Sequence, residues 1–332
     1  MSRPKLPSRA SDIWEGGFLS EQPHDVKDIQ ARGGMVIAGG TNLFLLKPAD
    51  ETWKSRPPPE DIGPVHAVAA EPRGARRYAV ASEKMLALFI KRKEGDQILR
   101  LTPKEPGGRV THLVWGGAKG PCALYALHDD YKLLRMRPDL SDIDELDVEE
   151  MAAIASDDNG VVAMVARAGG NPRVYVTADG AAMRFRHVTE EIEEDQSLDI
   201  AVADTAVALV VDQKRVLLSR GMDDPFVPVE ALSSPDGKGW ITGPVVFQGA
   251  SSDAALLCAR WEDDLVRVMR VDPTGAAMSI IEMGGTEQLD PPEVAALSWD
   301  ATRQTLWGAS PHVGIFKSVA PTAKGKKKLA LS

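Results

Sequence analysis

The stretch VHAVAAEPRGARRYAVASEKMLALFIKRKEGDQILRL, residues 65–101, holds four short apolar runs separated by three polar connections. The runs are VHAVA, YAVAS, MLALFI and QILRL, rich in Val, Leu, Ile and aromatics. Between them lie EPRGARR, SEK and KRKEGD. Short runs of this composition, bounded by Gly, Pro and charged residues, read as β-strands, and brief connections make successive strands antiparallel neighbours. The opening of the unit, an apolar residue, two variable ones and a second apolar residue, recurs along the chain. It reads VKDI at Val26, VHAV at Val65, VTHL at Val110, MAAI at Met151, LDIA at Leu198, GPVV at Gly243 and VAAL at Val294. The intervals run from 39 to 51 residues, and each opening is followed by further apolar runs. A fixed period of this length marks a repeat architecture.

Seven units of up to four antiparallel strands predict an all-β, seven-bladed β-propeller of four-stranded blades. The expected organisation is a flexible N-terminus over residues 1–11, one propeller over 12–320 and a basic disordered tail over 321–332. Trp14 stands twelve residues before Val26, as Trp53 stands twelve before Val65. The N-terminal segment therefore reads as an outer strand that completes the seventh blade, whose own runs are VAALSW, TLWGA and VGIFKSV. SDDNG (156–160) and TADG (177–180) have hairpin-turn chemistry, because Asn and Gly tolerate positive φ. Only DELDVEEMAAIA (144–155) shows a helical phase, through Val148, Met151 and Ala155.

The blade plan resembles seven-bladed propellers of the WD-repeat and Asp-box (BNR) kinds, including photosystem-assembly-factor-like repeats. RVYVTADGAAMRF (173–185) is similar to an Asp-box, with Thr177, Asp179 and Gly180 near their places but no following Thr-Trp. LFLLKPADETW (43–53) keeps Thr52 and Trp53 without the acid and glycine at their usual spacing. The resemblance spans nearly the whole chain and identifies no subfamily.

The composition is that of a folded, water-soluble chain, with 43 % apolar and 26 % charged residues among 332. Glycine and proline, 29 and 23 in number, suit the many turns of a propeller. The first 25 residues lack a signal-peptide core, and no run approaches the ~18 apolar residues of a membrane span. Two cysteines, Cys122 and Cys258, lie inside apolar runs and read as reduced, buried thiols. A cytoplasmic location with no membrane association is expected.

No nucleophile elbow, Walker A loop, dinucleotide fingerprint or zinc-protease helix is present. GGAKGP (116–121) lies between strands and reads as a turn. His66 and His112 fall on equivalent first strands, but at positions differing by one, so strict strand alternation sends them to opposite faces. The expectation is accordingly a non-enzyme, with no catalytic residue, no metal site and no cofactor.

The formal charge is −9. Strand order puts connections between blades on the same face as loops between second and third strands. Those segments bring Glu83, Asp129, Asp130, Glu193, Glu194, Asp195, Glu262, Asp263 and Asp264 to one side. One-signed clustering attracts partners of opposite charge and opposes nucleic-acid phosphates. These nine residues are the expected partner-binding positions of a non-catalytic scaffold that docks a protein with a basic surface, as a subunit of a larger complex. The alternative is a propeller hydrolase, lactonase or small-molecule sensor working in the central channel.

Overall fold

In a computed structural model, the chain is described over residues 15–18 and 25–320, with breaks at 33–34, 48–51, 57–61, 73–76, 84, 93–94, 104–108, 118, 120–121, 140–141, 147–149, 168–170, 179–182, 191, 194, 233–238, 263–264, 285–292 and 312–313. The anticipated terminal segments 1–11 and 321–332, Trp14, and the TADG turn beyond Ala178 lie outside the described residues.

Strand β1 (Glu15–Phe18) opens the described chain. Blade 1 is β2 (Val26–Arg32), β3 (Met35–Gly40), β4 (Leu43–Lys47) and β5 (Thr52–Arg56). Blade 2 is β6 (Val65–Ala70), β7 (Arg77–Ser82), β8 (Met85–Arg92) and β9 (Gly95–Pro103). Blade 3 is β10 (Val110–Gly116), β11 (Ala123–His128), β12 (Leu133–Met136) and β13 (Ile143–Leu146). Blade 4 is β14 (Met151–Ser156), β15 (Val162–Ala166), β16 (Arg173–Thr177) and β17 (Arg184–His187). Blade 5 is β18 (Leu198–Ala203), β19 (Ala206–Val211), β20 (Arg215–Ser219) and the two-residue β21 (Val227–Pro228). Blade 6 is β22 (Gly239–Phe247), β23 (Leu256–Glu262), β24 (Leu265–Val271) and β25 (Ala277–Gly284). Blade 7 is β26 (Ala296–Asp300), β27 (Thr305–Ser310) and β28 (Gly314–Val319), with β1 as its fourth strand.

All seven sheets are antiparallel, and within blades 1–6 the strands pair in chain order. β1 pairs with β28 from Glu15 opposite Val319 to Phe18 opposite Phe316, so the seventh blade joins both ends of the described chain. No helix occurs among the described residues, and Met151–Ser156, despite its helical phase, is the inner strand of blade 4.

The core is not central. It is divided into seven apolar clusters, each made from two adjacent blades. Tyr78 and Phe89 of blade 2 meet Ile37 and Leu45 of blade 1 in one of them, and the two rings stack with centroids 5.0 Å apart. The last cluster joins Trp307 and Ile315 of blade 7 to Ile29 and Phe44 of blade 1, closing the circle. A blade between two neighbours is covered on both faces. For that reason β3, β6, β11 and β19 are buried along their whole length and read as unbroken apolar runs rather than alternating ones.

Close packing explains one glycine in particular. A Cβ at Gly308 would overlap the ring of Phe316, its partner across β27 and β28. At the SDDNG turn, Gly160 has φ 87°, its N–H donates to Asp157 O, and Asp157 Oδ1 accepts from Asn159 and Val161 at 2.9 and 2.8 Å. This is the turn chemistry expected of Asp and Gly.

Candidate functional site

Antiparallel order sends the turns between second and third strands, and the connections between blades, to one face. Backbone bonds tie them together there. Asp129 N donates to Arg109 O, Arg167 N to Glu150 O and Asp212 N to Ser197 O, each at 2.8 Å, so each turn is pinned beside the start of its own inner strand. Of the nine anticipated partner-binding residues, Glu83, Asp129, Asp130, Glu193 and Asp195 are exposed in segments of this face. Glu194, Asp263 and Asp264 lie outside the described residues. Glu262, at the end of β23, is half-buried and accepts from Arg260 at 3.2 Å and Arg267 at 3.5 Å. Its charge is answered within its own blade. Asp129 Oδ1 accepts from Arg109 N at 2.6 Å, which fixes the loop while the residue stays exposed.

The second feature is the channel enclosed by the seven inner strands. It contains a cavity of about 480 Å³ lined by residues of blades 1 to 7. Seven apolar residues mark one level of this ring, because each packs against the preceding blade: Ile29, Val68, Leu113, Ile154, Ile200, Val245 and Leu297. The residues immediately before them are Asp28, Ala67, His112, Ala153, Asp199, Pro244 and Ala296. Two carboxylates and an imidazole therefore share one level with small or apolar neighbours.

Asp28 and Asp199 are equivalent in the repeat but bonded differently. Each Oδ1 accepts from the following isoleucine N–H at 2.8 Å. Asp28 Oδ2 also accepts from Val68 N of the next blade at 2.8 Å. The corresponding donor for Asp199 would be Val245 N, and among the described residues no donor of blade 6 reaches Asp199. The register of blade 6 breaks there, between Ile241 and Val245, next to Pro244, which has no N–H. Burial pushes the Asp28 carboxyl up to about 6 against its two N–H donors. It raises Asp199 as well, opposed by His112 and the Ile200 N–H. His112 is pushed down by the same burial, opposed by Asp199.

The alternation argument for the two histidines fails at a bulge. In blades 1 to 4 the inner pairing skips one residue, between Val26 and Asp28, Val65 and Ala67, Val110 and His112, and Met151 and Ala153. The extra residue upsets the period of two. As a result both His66, at the skipped position, and His112 line the channel. Among the described residues no group of three or more His, Cys, Asp or Glu is placed to hold a metal ion.

At the other end of the inner strands, Arg32 crosses the channel from blade 1 to blade 4. Its Nη1 donates to Ser156 Oγ at 2.6 Å, its Nη2 to Ser156 O, and its Nε lies 3.5 Å from Asp158 Oδ1. Asp157 Oδ2 accepts from Asp204 N of blade 5 at 2.9 Å, extending the network around the ring. Cys258 is buried, with its thiol pushed up to about 12 by burial, and is an inert core residue. Cys122 is half-buried rather than enclosed.

Asp28 and Asp199 are not among the candidates of the sequence because the repeat motifs VKDI and LDIA serve there as markers of period. The signal was the polar residue just before the second apolar position of those motifs.

These features define a seven-bladed β-propeller with a polar channel. No family model matches the chain, and no curated protein matches it. Among solved structures it is similar to the β-propeller domain of Cps50 (Swd1) from Myceliophteria thermophila, with a TM-score of 0.66 at 9% identity over 93% of this chain and 100% of that one. It is likewise similar to the RRP9 WD40 repeats, with a TM-score of 0.66 at 12% identity over 96% and 100%. YCF48 bound to D1 peptide aligns with a TM-score of 0.64 at 11% identity over 96% and 99%. At these identities the likeness is one of fold, and it includes WD40 propellers.

Proposed function

We propose that the chain is a non-catalytic protein-interaction scaffold, a subunit of a larger complex, that docks a partner with a basic surface on its acidic loop face. The observation that carries this reading is the exposure of Glu83, Asp129, Asp130, Glu193 and Asp195 on loops of one face, with Asp129 pinned by its backbone bond to Arg109. A pre-ordered surface loses little conformational entropy on binding, and a field of one sign speeds encounter in a salt-dependent way. The fold likeness to WD40 domains, and to a propeller captured with a peptide, supports a protein partner. No helix among the described residues is long and apolar enough to cross a membrane. A cytoplasmic location is part of the proposal and rests on the sequence alone.

The test is affinity capture from native cell extract followed by mass spectrometry, comparing the wild type with the triple variant Glu83→Lys, Asp130→Lys, Asp195→Lys. The expected outcome is a set of basic partners captured at low salt and lost in the variant. Identical capture by both chains would overturn the acidic-face reading.

A further inference from the structure

Asp199 poses a physical problem that its repeat equivalent does not. Asp199 is half-buried at the channel wall, and a carboxylate partly withdrawn from water is costly to keep ionised without donors or a counter-charge. Asp28 meets the need with two backbone N–H groups, whereas Asp199, which lines the cavity, has one.

His66 is the second, independent sign. Its side chain is only 5% exposed, it lines the same cavity, and neither ring nitrogen has a hydrogen-bond partner. Glu83 Oε1 lies 3.5 Å from Nε2, outside hydrogen-bond geometry. A buried polar side chain left in this way calls for a bonding partner.

We propose that the channel is a binding pocket for a small aliphatic ammonium ion, anchored on Asp199 and entered from the face opposite the Arg32 crossing. The Asp199 carboxylate only accepts, and the imidazoles of His112 and His66, whose charged form burial disfavours, each keep one acceptor nitrogen; His112 Nδ1 lies 3.1 Å from Thr111 Oγ1, which leaves its Nε2 as the acceptor. An ammonium group brings three donors and the missing positive charge, and a charge-assisted bond to carboxylate is among the stronger kinds. Arg32 does not supply that charge, since it is engaged by Ser156 and Asp158 at the far end. Of the cations near His66, Lys27 lines the cavity and Arg109 does not, and Glu83 opposes the effect of both on the imidazole. Ile154, Ile200, Val245 and Leu297 provide apolar wall for a short carbon chain. The cavity volume of about 480 Å³ lies in the range of small-molecule sites. An anion would be repelled by an ionised Asp199, whereas an ammonium ion favours the ionised form that burial opposes, and a neutral molecule does not.

The pocket is independent of partner docking, because it is assayed on the isolated chain. Isothermal titration calorimetry of the full chain should use n-butylammonium chloride, with n-butanol and sodium butyrate as neutral and anionic counterparts. Saturable one-site binding of butylammonium alone is expected. Asp199→Ala, which installs the residue found at this level in blades 2, 4 and 7, should weaken it tenfold or more. Asp199→Asn, which keeps the shape, decides the matter if the alanine variant melts early. Glu145→Gln, exposed on the outermost strand of blade 3, should leave binding unchanged. The proposal is overturned if the wild type shows no saturable binding, if butanol or butyrate binds as well, if removal of the Asp199 charge is without effect, or if Glu145→Gln matters equally.

Discussion

Arg32, the last residue of blade 1's inner strand, donates to Ser156 Oγ at 2.6 Å across the channel, 124 residues further along the chain. Its guanidinium also faces Asp158, with side-chain exposures of 10% and 26%. In a ring whose cores lie only between neighbouring blades, this is a direct polar bond between blades three steps apart.

Arg32→Met should therefore destabilise the ring by about 2–4 kcal/mol, since it leaves a part-buried carboxylate and the Ser156 hydroxyl without their donor. A urea midpoint equal to that of the wild type would show that the crossing is ornamental.

Asp28 predicts a pH dependence. Its carboxyl rises from 3.8 to about 6 on burial, so between those values the folded chain holds a proton that the unfolded chain has released. Stability conferred in acid is lost as pH climbs through this window. Relative to Asp28→Ala, the wild type should lose about 1–3 kcal/mol between pH 4 and pH 7. Denaturant titrations of both chains across that range measure the difference, and parallel curves would contradict it.

Gly308→Ala puts a methyl group into the Phe316 ring inside the closing blade. Forced repacking at such a site costs about 1–3 kcal/mol, and scanning calorimetry should register a lower melting temperature.

Deleting residues 1–18 removes β1 and bares the edge of β28. An uncovered edge strand offers its N–H and C=O groups to other chains. The truncated chain should melt roughly 5 °C lower or more and should self-associate. Light scattering and melting curves matching the full chain would refute a stabilising role for β1.

Much of the architecture was legible from spacing. The seven openings from Val26 to Val294 lie within the seven inner strands or up to two residues before them, and each following apolar run became the next strand outward. Their location near the strand starts also told which loops share a face, which is how Glu83, Asp130 and Asp195 could be grouped from residue numbers alone. The ion pair of Glu262 with Arg267 was not legible in the same way, because Arg267 comes from the adjacent strand and depends on cross-strand register. The histidines were misjudged through a bulge, one extra residue that a period-two pattern does not reveal.

The repeat thus determined blade number, strand order and loop sidedness, because these follow from local apolar periodicity and short antiparallel connections. The channel was decided only by the tertiary structure. Closing the ring sets Arg32 against Ser156 and Ala31 N against Ser298 Oγ, pairs 124 and 267 residues apart, and places His112 and Asp199 within electrostatic reach. No local pattern encodes such meetings. They depend on how seven twisted sheets pack around an axis, and that packing left Asp28 satisfied and its repeat equivalent Asp199 short of a donor.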